Sequence, residues 1–216
     1  MRRTATTANA LLGLLALRPS WTTWELTKQL RRNMRFFWPR TESRIFDEAK
    51  ALVTKGLARD RRSFTGQRAR TSYAITADGR KALRRWLATP PKPTALECEP
   101  VLRIFLGDLG TTDQLRTAIA QVRHDGHAIL DVGRVVGPEY LAGTAPFQDQ
   151  VHVRAFVLDF LSHHARMLIE WADRTDAAVE RWERTSDRQR TAMALETIAT
   201  NLEAYPPAAV IAAPPS

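Results

Sequence analysis

The chain has 216 residues, 44% of them apolar and 25% charged, with a formal charge of +9, the make-up of an ordinary soluble protein with room for one large domain or two small ones. No apolar run approaches the roughly 18 residues that a membrane span needs. The single cysteine, Cys98, excludes an intramolecular disulfide and fits a reducing cytoplasm.

The charge is unevenly spread. Residues 1–92 hold 21 Lys+Arg against 6 Asp+Glu, a surplus of 15, whereas residues 93–216 hold 11 against 17, a deficit of 6. The first part suits a polyanion and the second does not, with a merely solvated basic surface as the competing reading. The prolines of "TPPKP", 89–93, coincide with the change of sign and cannot continue a helix, so they mark a linker.

In chain order, "MRRTATTANALLGLLALRP" has the basic start and apolar run of a signal peptide, but the run is short and no small-residue cleavage site follows before Trp21. It reads as a core helix with Leu11, Leu14, Leu15 and Leu17 on its apolar stripe, ending near Pro19. Thr22 and Glu25 have the spacing of a capping box and start a second helix, which carries Leu26, Leu30 and Met34 inward and Lys28, Arg31, Arg32 and Arg35 outward. A third helix follows Pro39, buries Ile45, Phe46, Ala49, Leu52 and Val53, and stops at Gly56. "LARDRRSF" and "RARTSYAIT" form a hairpin about Thr65-Gly66-Gln67, and Thr76 caps a fourth helix through Leu83, Trp86 and Leu87. Downstream the spacing predicts helices over about 97–107, 111–136 and 147–184, then a shorter one with Ala194, Leu195 and Ile198 after Ser186. The tail 205–216, with four prolines, reads as disordered.

The turn leading into the third helix carries Arg40, Thr41, Ser43 and Arg44 ahead of an apolar back face. Such an N-terminus can enter the major groove of DNA, where backbone N–H groups favour phosphate, arginine bonds guanine and hydroxyls reach either. Lys28, Arg31 and Arg32 on the preceding helix would face the backbone, and Arg61, Arg62, Arg68 and Arg70 would make the hairpin a basic wing. The fold class is therefore mainly α: an N-terminal winged helix-turn-helix with a two-stranded β-wing, 1–88, a linker, 89–93, and an all-helical domain, 94–204.

These residues also resemble a known family, the PadR-like transcriptional regulators. The resemblance runs through "LLGLLAL", "TTWELTKQL", "FWPRTESRIFDEAKALVTKGLARD" and "GQRARTSYAITADGRKALRRWL". Phe37-Trp38-Pro39 matches the family's entry to the recognition helix; Phe46, Leu52 and Gly56-Leu57 match positions along it, and Tyr73 to Gly79 match the close of the wing. Where the family has Gly-Tyr-Glu, with its tyrosine near phosphate, this chain has Thr23-Trp24-Glu25. Trp24 either donates its indole N–H to phosphate or sits in the core. Ser43-Arg44-Ile45-Phe46-Asp47 stands where the family has Gly-Ser-Ile/Leu-Tyr-Pro, adding a positive charge to the reading surface.

The resemblance implies a cytoplasmic DNA-binding regulator, read as a repressor, and dimerisation through the last long helices. A twofold dimer reading half-sites about one turn of DNA apart (~34 Å) implies a near-palindromic operator. The family's response to phenolic compounds allows a small aromatic effector where Trp86, Phe105, Phe156, Phe160 or Trp171 meet, although such a stripe also reads as core. No membrane partner, cofactor, metal site or enzyme activity is expected. His163 and His164 are adjacent and so diverge by about 100°, His124 and His127 have no convergent partner, and Cys98 lies between Glu97 and Glu99, which blunts a thiolate. Two alternatives stay open: a winged-helix module for protein contacts, and a helical small-molecule-binding protein.

Overall fold

The computed structural model describes residues 2–65, 68–183 and 186–204. It divides into two compact units, Met1–Glu97 with Ile129–Ser162, and Cys98–Ala128 with His163–Ser216. The first unit thus takes in a middle segment of the chain as well as the residues ahead of the prolines. The tail read as disordered, 205–216, lies outside the described residues.

In the first unit, helix α1, Arg2–Ala16, buries Leu11, Leu12, Leu14 and Leu15. The two-residue strand β1, Trp21–Thr22, was not expected, because two residues carry no alternation to read. Helix α2, Thr23–Met34, opens on the predicted capping box: Thr22 Oγ1 accepts from Glu25 N–H at 3.3 Å, and a Glu25 carboxylate oxygen accepts from Thr22 N–H at 2.7 Å. Burial pushes the Glu25 carboxyl up, but the bonds from Thr22 and Arg18 outweigh it and leave the group below its ordinary value.

Helix α3, Glu42–Thr54, is capped by Thr41 and buries Ile45, Ala49 and Leu52. It ends in a Schellman motif: Gly56, at φ 68°, donates to Val53 carbonyl at 2.9 Å, and Leu57 donates to Leu52 carbonyl at 2.9 Å. Phe46 and Val53, expected in the core, are only half-buried, and Glu48 is buried instead. Position 48 lies three residues after Ile45 and four before Leu52, on the apolar face.

Strands β2, Ala58–Thr65, and β3, Arg68–Ile75, pair antiparallel from Ala58 opposite Ile75 to Thr65 opposite Arg68, and β1 joins β3 with Trp21 opposite Tyr73. The sheet order is β1-β3-β2. Helix α4, Ala77–Leu87, is capped by Thr76, whose hydroxyl also donates to Gly56 carbonyl at 2.7 Å. Here a glycine is required: a Cβ on Gly79 would lie 2.0 Å from the Leu57 carbonyl oxygen.

Residues 129–162 close the first unit. Phe147, in the left-handed region at φ 66°, sets its ring 5.7 Å from that of Trp21, which is 1% exposed. Arg18 covers Trp21 at 3.6 Å.

The second unit is helical. Helix α5, Glu99–Phe105, the first half of α6, Thr112–Leu141, the second half of α7, Val151–Trp182, and α8, Asp187–Glu203, supply it. Its core is Ile119, Val122, Ala172 and Val179, flanked by Leu115, Leu168 and Trp171. Gly126 lets α6 and α7 touch, since a Cβ there would lie 2.9 Å from Ala165 carbonyl oxygen. Helix α6 runs on through Pro138, past the end expected near 136, and Pro138 carbonyl accepts from Ala142 N–H at 2.9 Å. Among the described residues, no helix is long and apolar enough to cross a membrane.

A candidate nucleic-acid interface

Trp24, Lys28 and Arg31 stand at i, i+4 and i+7 on α2 and so share a face. That face forms one wall of an open groove of about 600 Å³, whose other walls are Glu42 and Phe46 of α3 and Arg70 and Thr71 of β3. Three elements that the sequence separates by up to some fifty residues therefore meet at one concave surface, which carries three cations and one carboxylate.

Within the groove, Arg31 donates to Glu42 at 2.9 Å, an exposed pair that water screens and that contributes well under 1 kcal/mol. Lys28 Nζ lies 4.9 Å from the centre of the Trp24 ring. Trp24 is 67% exposed, so it is a surface residue and not core.

The remaining sequence-predicted residues lie in three settings. Arg32 turns to the other side of α2 and pairs with Glu139 of α6, within the first unit. Arg40 lies 4.0 Å over the Trp38 ring and donates to the buried Thr7 hydroxyl at 3.4 Å and to its neighbour Pro39 carbonyl, so it braces the entry to α3. Thr41 Oγ1 is the N-cap acceptor for Arg44 N–H at 3.4 Å and sits 3.2 Å from Ser43 Oγ. Ser43 and Arg44 are exposed on the leading turn.

On the hairpin, register decides direction, because successive side chains alternate. Arg61 opposes Ser72 and Arg70 opposes Ser63, on one face with Arg59; Arg62 opposes Thr71, on the other face beside Asp60 and Tyr73. Burial and then the Asp60 charge push the Tyr73 hydroxyl up. Arg68 enters through its backbone pairing with Thr65, while its side chain and the tip at Gly66 lie outside the described residues.

Reasoning from the sequence did not place Glu42 or Phe46 in the groove that both line. The apolar pattern of α3 puts Phe46 with Ile45 on the buried face, yet Phe46 is one step, about 100°, from Ile45 and one turn from Glu42. Of the aromatics expected to flank an effector, Phe156 and Phe160 of the first unit are exposed; in the second, Phe105 is exposed and Trp171 packs beside the core. Among the described residues no cluster of His, Cys, Asp or Glu could hold a metal.

No family model matches this sequence, and no curated protein does. Solved structures do match. A PadR-like transcriptional regulator of Bacillus cereus superposes with TM-score 0.66 at 16% identity, over 81% of this chain and 98% of that one. Bacillus subtilis PadR in complex with operator DNA gives 0.62 at 19%, over 80% and 98%. The virulence activator AphA of Vibrio cholerae gives 0.60 at 18%, over 82% and 99%. The chain therefore has the fold of the PadR-like transcriptional regulators, a winged helix-turn-helix with a helical extension.

Proposed function

We propose that this protein is a sequence-specific DNA-binding transcriptional regulator of the PadR-like family. The observation that carries this reading is the groove in which Lys28, Arg31 and Arg70 converge beside the leading turn of α3. Arg44 and Ser43 would read base edges from that turn, and Lys28, Arg31, Arg61 and Arg70 would hold phosphate. Arg68 is proposed for the wing on sequence grounds. Arg32, Arg40 and Thr41 act one step back, by fixing α2 and the start of α3. The complex of the B. subtilis neighbour with operator DNA supports the same reading.

The protein would act as a homodimer on a near-palindromic operator. Leu195, Ile198 and Leu202, between 56% and 61% exposed, fall at i, i+3 and i+7 of α8 and form an apolar stripe that a second copy would cover. Repression is the sign proposed, because occupying a promoter needs only the DNA surface. B. subtilis PadR also has a structure in complex with p-coumaric acid, which supports a small aromatic effector here.

Titration of a duplex selected from a randomised pool, followed by anisotropy at several salt concentrations, tests the reading. Affinity should fall steeply with salt, each neutralised phosphate adding roughly −0.9 to the log–log slope. Arg44→Ala should narrow the gap between selected and random duplex, and Arg70→Ala should mainly flatten the slope by about 1. Equal affinity for selected and random duplex in the unaltered protein overturns the proposal.

A further inference from the structure

Phe46 is the apolar side chain that α3 contributes to the groove, in company with Lys28, Arg31, Glu42 and Arg70. The core beneath does not need it: Ile45 and Leu52 of the same helix are each 1% exposed and already close that face. Phe46 is only partly covered, and a phenyl edge left open among charges gains further burial when an apolar partner covers it. It has no donor for a base acceptor or phosphate, so the partner that suits it is an apolar group. The major groove of DNA offers one such group, the 5-methyl of thymine.

Resting on the DNA-binding reading above, we propose that Phe46 is a specificity-determining residue that packs on a thymine methyl in each half-site. Its place supports this. Phe46 lies one turn along α3 from Glu42 and so follows the leading turn into a groove that the helix enters N-terminus first. Trp24 is the contrasting ring. It stands on α2, the helix that crosses the backbone in this fold, with the Lys28 ammonium over it, which suits sugar and phosphate.

The experiment replaces each thymine of the selected operator in turn by deoxyuridine, which removes the methyl and leaves base pairing intact. One position in each half-site should weaken binding by about fourfold, the value of one buried methyl. In Phe46→Ala that sensitivity should vanish, so that thymine and deoxyuridine probes bind alike, and Phe46→Leu should retain part of it. Trp24→Ala should weaken both probes by the same factor and leave their ratio unchanged.

Selective binding with no deoxyuridine-sensitive position, or sensitivity that persists in Phe46→Ala, overturns the proposal while leaving the DNA reading intact. Failure of the unaltered protein to prefer any duplex overturns both. Should Phe46→Ala not fold, the scan on the unaltered protein and on Phe46→Leu still decides.

Discussion

The groove of the first unit and helix α8 of the second leave different kinds of surface uncovered. The first buries bulky side chains from Leu11 to Ile75 around Trp21 and holds cations out into an open groove. In the second, two arginines of α6 pair with α7: Arg116 grips Asp176 at 2.9 Å, and Arg123 reaches Asp173 at 2.6 Å and Asp176 at 3.6 Å. Helix α8 leaves an apolar stripe uncovered, and Phe105 of α5 is 84% exposed. A groove that gathers cations suits a polyanion, and an apolar helix stripe suits another apolar face. The overall count of arginines says little; whether each has a carboxylate on a facing helix says much more.

The sharpest way to break this contrast is Ile198→Asp. Burying one uncompensated polar group per copy costs about 2 kcal/mol in each, so a dimer formed through α8 should weaken on the order of a thousandfold. Sedimentation over a concentration series reads this directly, and an unmoved midpoint would take α8 out of the interface. Next come two glycines that compare the tightness of the units. Gly79→Ala drives a methyl into the Leu57 carbonyl, a backbone atom that cannot yield, and should cost about 3 kcal/mol in denaturant unfolding. Gly126→Ala meets Ala165 carbonyl oxygen at 2.9 Å and the flexible Ile169 side chain at 2.7 Å, and should cost about 2 kcal/mol.

A smaller effect is expected at the start of α2. Thr22→Ala removes the capping acceptor and should cost about 1 kcal/mol. It should lower affinity for selected and random duplex alike, because it loosens the helix that carries Lys28 and Arg31.

The smallest effect is a pH response. Hydrogen bonds from Arg116, with Arg123 beside them, hold the Asp176 carboxyl below its ordinary value. A carboxyl depressed in the folded state adds stability that is present above its unfolded pKa and lost as pH falls through the folded one. Melting temperature should therefore hold between pH 7 and about 5 and decline below about 4, and Asp176→Asn should reduce that decline. An unchanged acid limb in Asp176→Asn would show that the pair contributes nothing measurable.

Much of the fold that carries the candidate site was legible in the sequence because it depends on local chemistry. The capping box at Thr22 and Glu25, the stop at Gly56, the cap at Thr76 and the hairpin about Gly66 each follow from a few neighbouring residues. The side chains that line the groove were harder to find. Phe46 looked like core because it is apolar, and Trp24 could be argued either way, because burial depends on what packs opposite.

By itself the sequence determined the order of the main helices and the hairpin, the basic first part and the arginines from which any DNA surface must be drawn, since periodicity, capping and charge are written in residue type. Only the tertiary structure decided how those arginines are used. Arg31 faces the groove, while its neighbour Arg32 pairs with Glu139, more than a hundred residues away. Arg40 lies on Trp38, and Arg61 and Arg62 point to opposite faces. The reason is geometric: a rotation of 100° on a helix or 180° on a strand gives adjacent, chemically identical residues different partners.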